Sequence, residues 1–167
     1  FDRFLVRPIN PLFHLLADRF CHDGIGDLVV GAVLVGYASK ALAIPWTLMN
    51  LAYLILSMLT GGAIFIALHL ITATSAFWIV ESRPLTQIVN QPYEFAMYPL
   101  DIYSKTIRLA LTWVLPYGFA SFYPASHLMG RDVGWLAWVG PLLAAAMLIL
   151  AYQVWEFGLR HYSSTGS

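Results

Sequence analysis

Four apolar stretches divide the chain: Gly26 to Ile44, Trp46 to Val80, Ile107 to Tyr123, and Val133 to Trp155. A helix crosses a hydrocarbon core of ~30 Å with about 20 mostly apolar residues. Each stretch therefore predicts a membrane span, the third being the shortest and interrupted by Pro116 and Gly118. Trp135, Trp138, Tyr152 and Trp155 flank the fourth as an aromatic belt would. The second, drawn as one helix, would run roughly 52 Å. That exceeds a membrane yet leaves too little chain for two spans and a turn, so it must tilt, break or project. Gly61-Gly62 is the predicted place for a kink or a close helix contact. Ile44-Pro45-Trp46 is the only break before it, which predicts a tight hairpin of spans one and two. The predicted fold is all-α: a polytopic transmembrane bundle over residues 26–167, preceded by a surface segment over residues 1–25.

That surface segment, FDRFLVRPINPLFHLLADRF, has a different pattern. Asn10 followed by Pro11 is a helix start, an N-cap acceptor and then proline at the first helical position. A helix from there to Phe20 is about 15 Å long, too short to cross. Arg7, His14 and Asp18 fall on one face at helical spacing, and Leu12, Phe13, Leu16 and Phe20 on another. Such a helix lies flat at the membrane surface. It is either a plain interfacial anchor or a docking element that passes motion from a soluble partner into the first span.

Composition agrees with a membrane protein. The chain is 59% hydrophobic and 11% charged, with net charge zero and a mean hydropathy of +0.69. Soluble domains carry about 25% charged residues. The neutral balance argues against nucleic acid as a partner. The single cysteine, Cys21, excludes an internal disulfide and any multi-cysteine metal site. Four spans would put Arg3, Arg7, Arg19, Arg83, Lys105, Arg108 and Arg160 on one side, and Arg131 with Lys40 on the other. The positive-inside rule then places both termini and the loop from Glu81 to Asp101 in the cytoplasm, with the turns at Pro45 and at Pro124 to Asp132 outside.

Candidate chemistry is sparse. His69 lies inside the second stretch, where an ionisable residue suggests function, although a neutral imidazole bonded to a neighbouring helix explains it as well. His127 and Asp132 lack metal-ligand spacing. No phosphate-binding GxxxxGK[ST] loop and no serine elbow is present, and no internal repeat is visible. Broken helices often line transport paths, because their freed backbone groups need polar partners. Gly61, Gly62, His69, Pro116 and Gly118 are accordingly the pathway candidates. A membrane-embedded lipid-modifying enzyme using His69 or His127, and a non-transporting scaffold, are the competing readings.

Several segments carry a family resemblance: the opening FDRFLVRPINPLFHLLADRF, IGDLVVG, EFAMYPLDIYSKTIR, VLPYGFASFYPASHLMG and the ending FGLRHYSSTGS. In order and spacing they resemble the ABC-2 family of transporter permeases, over essentially the whole chain. The resemblance implies a bacterial inner-membrane exporter subunit with six helices and both ends cytoplasmic. The four visible spans would be its third to sixth, and the chain, which does not open with methionine, would be the later part of a longer protein. The opening helix would be the coupling helix, with Arg7, Pro8, Pro11, Phe13, Arg19 and Phe20 at the ATPase interface. The implied partners are an ATP-binding cassette subunit, which would hold ATP and Mg, and a second related permease; this chain itself would bind no cofactor.

Overall fold

The computed structural model describes residues 12–14, 23–78, 87, 89, 91, 94, 95 and 97–161. These divide into two units, one ending at Ile44 and one beginning at Pro45.

The first unit contributes helix α1, Asp23–Ala41, and its 19 residues reach about 28 Å, enough for a span. Nearly all its side chains are exposed, as a lipid-facing helix requires. Its end is a Schellman motif. The N–H of Ile44 donates to the Ser39 carbonyl at 3.0 Å, and that of Ala43 to Lys40 at 3.4 Å. Ala43 occupies the left-handed position, φ 50°, where glycine is usual. Pro45 follows and prevents the helix from continuing.

Helix α2, Leu48–Thr74, opens the second unit. Thr47 caps it, accepting from the Asn50 N–H at 3.2 Å, while the Asn50 amide reaches back to the Pro45 carbonyl at 2.7 Å. The helix runs unbroken through Gly61-Gly62 for 27 residues, then tightens into a 3-10 turn at Ser75–Phe77. Thr72, Thr74 and Ser75 hydroxyls bond carbonyls three or four residues back in this last turn. The second stretch is thus one long helix that starts two residues later than Trp46, and the alternative of a break at the glycines is not taken.

The last helix among the described residues, Leu136–Arg160, runs parallel to α2. Tyr53 bonds the Ala137 carbonyl at 2.8 Å, Gly140 abuts Thr60, the Phe77 and Trp155 rings stand 5.2 Å apart, and Gly158 abuts Thr74. Early residues meet early ones and late meet late, which requires a common direction. Both helices are long and apolar enough to cross a membrane, so with α1 there are three such helices among the described residues.

The expected third span, over residues 107–123, is not a continuous helix. Helix α3, Lys105–Leu109, passes into a π-turn at Ala110–Val114 and stops. After Leu115-Pro116 come two short helices, α4 at Tyr117–Ala120 and α5 at Phe122–Leu128. The final helix, Leu136–Arg160, is therefore α6. The segment folds back on itself: Thr112 and Tyr123 share a 3.0 Å hydrogen bond, and the Trp113 and Phe119 rings are 5.6 Å apart. Trp113 also faces Trp135 at 6.3 Å, beside the start of α6. The arms of this hairpin meet the N-terminal ends of α2 and α6, with His127 against Tyr53 at 4.6 Å. Its tip, Tyr117, stacks on Phe65 at 5.2 Å, roughly 18 Å further along α2 at 1.5 Å per residue. The core lies where the tip inserts: Ile64, Leu100, Leu111, Tyr117 and Phe119 are all nearly inaccessible.

Candidate functional site

The hairpin contains the two proline-region candidates, so its local chemistry comes first. A residue before proline is driven out of the α region, and Leu115 is extended at φ −117°, ψ 90°. The helix cannot pass this point in α form. It widens instead, and Leu115 N–H donates to Ala110, five residues back, at 2.9 Å. π-turns of this kind recur at functional sites. Beyond the break, Tyr117 N–H reaches Leu115 at 2.6 Å and Phe119 N–H reaches Pro116 at 3.2 Å. The interruption read at Pro116 is thus a full break that reverses the chain. The Tyr117 hydroxyl, fully buried, donates to the Val89 carbonyl at 2.6 Å. Thr112 turns its hydroxyl onto the Arg108 carbonyl at 2.7 Å as well as onto Tyr123.

Three of the five pathway candidates sit at this junction, two of them as glycines in tight contact. A Cβ on Gly118 would lie 2.9 Å from Leu100 Cδ1 and 3.0 Å from the Tyr123 ring. One on Gly61 would lie 3.2 Å from the Ala120 carbonyl oxygen. Gly61 is therefore the close-contact glycine of the pair, and its neighbour Gly62 faces open space. Pro116 is buried beside them. His69 stands apart on an exposed face of α2, its Nδ1–H donating to the Phe65 carbonyl at 2.9 Å. That bond lies within α2 itself.

The charged residues correct the side assignment. Arg108 Nη2 lies 3.2 Å from one oxygen of Asp101, and Arg131 Nη1 lies 3.7 Å from the other. Arg108 Nε also donates to the Leu100 carbonyl at 3.3 Å. Two guanidiniums sharing one carboxylate cannot lie on opposite faces of a ~30 Å core. The expectation that Lys105 and Arg108 face one side and Arg131 the other required residues 107–123 to cross, and they turn back instead. The charge split on which the orientation rested goes with it.

Of the coupling candidates, Phe13 lies in a helical stretch over residues 12–14 and is 67% exposed. Arg7, Pro8, Pro11, Arg19 and Phe20 lie outside the described residues. The sequence reading missed Tyr53 and Pro141. Pro141 has no N–H to give the carbonyl four residues before it. That carbonyl belongs to Ala137, and the Tyr53 hydroxyl takes it at 2.8 Å. A proline in an apolar run is the available signal, because a freed carbonyl at membrane depth needs a donor from another helix. Among the described residues, no group of three His, Cys, Asp or Glu side chains is arranged to hold a metal.

A family model described as ABC-2 family transporter protein matches residues 1–166. No curated protein and no solved structure gives a match.

Proposed function

Since the chain belongs to the ABC-2 transporter family and is a multi-pass membrane permease of ABC transport systems, we propose that it couples ATP hydrolysis on a separate subunit to export across the bacterial inner membrane. Nucleotide binding and hydrolysis on a partner ATP-binding cassette subunit, with its Mg, close two nucleotide domains. The amphipathic segment ending near Phe20 receives that motion at the cytoplasmic surface through Arg7, Pro8, Pro11, Phe13, Arg19 and Phe20. It passes the motion into α1, and the helices exchange inward- and outward-facing states. A second, related permease completes the pathway. Gly61 seats the broken hairpin against α2, Gly118 closes the hairpin on itself, Pro116 sets its reversal, and Gly62 and His69 line the open face of α2.

The observation that carries this reading is the family match over nearly the whole chain. The exposed Phe13 supports docking, since aromatic residues, Phe among them, are enriched at protein interfaces relative to the rest of the surface. Phe13→Ala with Phe20→Ala, made in the complete permease, tests it. Interface anchors of this kind are worth about 2 kcal/mol or more, so association with the ATPase should weaken by at least roughly tenfold. Membrane insertion should be unchanged. Wild-type co-purification and wild-type coupled hydrolysis in the double variant would reduce the segment to an interfacial anchor.

A further inference from the structure

α2 and α6 are fastened differently at their two ends. At the late end the fastening is steric. Gly158 is wedged among Phe77, Thr74 and Trp78, and a Cβ placed there would lie 2.5, 2.7 and 3.1 Å from their side chains. Thr74 is fully buried, and the Phe77 ring packs on Trp155 at 5.2 Å. At the early end the helices are joined by a hydrogen bond, from the Tyr53 hydroxyl to the Ala137 carbonyl at 2.8 Å. Beside that bond lies a crevice of about 10 Å³, lined by Ser57, Thr60, Phe119 and Pro141 among others. It has room for one water and nothing larger.

The first turn of α6 is set off from the rest of the helix. Pro141 supplies no N–H to Ala137, so the helical ladder has a gap there, and Gly140 just before it has no side chain to hinder a bend. The turn joins the preceding chain at Gly134, where φ is 56° and nothing lies within 4 Å of a Cβ position. The hairpin meets it through ring contacts, Trp113 on Trp135 at 6.3 Å and His127 on Trp138 at 5.3 Å, and such contacts tolerate sliding. The two fastenings also differ in what can replace them. Tyr53 stands about 8 Å from the start of α2 and Ala137 one residue from the start of α6, so once they part, water at that end of the bundle can solvate both groups. Nothing replaces the packing around Gly158, which parting would turn into a void.

We propose that the seam between α2 and α6 is a latch: the first turn of α6, Leu136 to Gly140, swings away from α2 about Pro141 when the Tyr53–Ala137 bond is exchanged for water, while the pair stays pivoted at Gly158. Pro141 and Tyr53 act as a matched pair, since one frees the carbonyl that the other holds. A latch closed by a single hydrogen bond reopens readily, and the crevice beside it is where water enters. The use of this opening in transport rests on the permease reading. The opening itself needs no ATPase, so its test stands apart from the test of coupling.

Single cysteines in the complete permease, with Cys21→Ser as background, read the seam in phosphatidylcholine nanodiscs. Thr60→Cys lies at the crevice and Thr74→Cys against Gly158, and both positions are buried. A methanethiosulfonate reagent is too large for the crevice, so it reaches position 60 only when the seam opens. Thr60→Cys should react measurably, and Thr74→Cys far more slowly. Tyr53→Phe should speed the reaction of Thr60→Cys roughly fivefold, the worth of one net hydrogen bond, and leave Thr74→Cys slow. Pro141→Ala, which closes the gap in the ladder, should slow Thr60→Cys and remove most of the acceleration that Tyr53→Phe produces. An unchanged rate at Thr60→Cys in either Tyr53→Phe or Pro141→Ala would overturn the latch. Equal acceleration at Thr74→Cys would overturn the pivot, because the helices would then part along their whole length.

Discussion

Replacing the glycines at the hairpin junction one at a time separates packing from open pathway. Gly118 is the tightest of the three. An alanine methyl there meets Leu100 Cδ1 at 2.9 Å, the Tyr123 ring at 3.0 Å and the Leu111 carbonyl oxygen at 3.4 Å. The Leu100 methyl is the end of a flexible side chain, but Leu100 is 1% exposed and has nowhere to rotate without displacing another core atom. Overpacking of this kind costs about 1–3 kcal/mol, offset by up to ~1 kcal/mol of helix propensity. Gly118→Ala should therefore destabilise by about 1–2 kcal/mol. Gly62→Ala meets nothing within 4 Å, so only the propensity gain of ~1 kcal/mol remains. Gly61→Ala falls between, since the Ala120 carbonyl at 3.2 Å belongs to the backbone and must yield slightly. At roughly 2–4 °C per kcal/mol for a chain of this size, Gly62→Ala and Gly118→Ala should differ by about 4–12 °C in unfolding temperature. Fluorescence-detected size exclusion after heating in detergent reads this directly. If Gly118→Ala melts at or above Gly62→Ala, the hairpin does not pack as described, and Gly118 faces open space.

Three further outcomes follow from the geometry. Tyr53→Phe should cost about 1–3 kcal/mol, because it orphans the Ala137 carbonyl, and Pro141→Ala in the same chain should recover part of that loss by restoring the helical donor; a thermal double-mutant cycle measures the coupling. Ala43→Gly should raise the unfolding temperature, as it relieves a left-handed alanine that costs about 1–2 kcal/mol; an unchanged or lower value would mean that Ala43 is unstrained. With Cys21→Ser as background, cysteines placed at Lys105 and Arg131 should react with a membrane-impermeant thiol reagent from the same side of sealed vesicles, and a cysteine at Arg160 from the other; opposite labelling of Lys105 and Arg131 would restore residues 107–123 as a span.

The long helices were legible because their signal is length and apolarity alone, which a linear reading measures well. α2 lies within the second stretch, and α6 covers most of the fourth and runs past it to Arg160. The third stretch misled for a physical reason. Hydropathy records that a segment avoids water, and burial in protein satisfies that as fully as burial in lipid. Residues 107–123 hide Leu111, Tyr117 and Phe119 against α2 and α6 and need no crossing to do so. Pro116 marked the break, but the sequence does not say whether the chain bends there or reverses. What decides it is non-local: Thr112 with Tyr123, Tyr117 with Val89, and Gly118 with Leu100. The Tyr53–Ala137 bond joins residues 84 apart in the chain, so Pro141 could have announced a need for a donor but not which residue meets it.

The parallel run of α2 and α6 constrains the rest of the chain. α2 ends near Trp78, whose ring lies against Gly158 late in α6. α6 begins near Trp135, at the end of the pair where Tyr53 stands. Between these points the chain must change ends. The hairpin contributes nothing to that change, because Asp101 before it and Arg131 after it form one ion-pair cluster. A hydropathy reading thus assigns a crossing to the apolar hairpin, whereas the shared Asp101 carboxylate brings its two arms back to one end of α2 and α6.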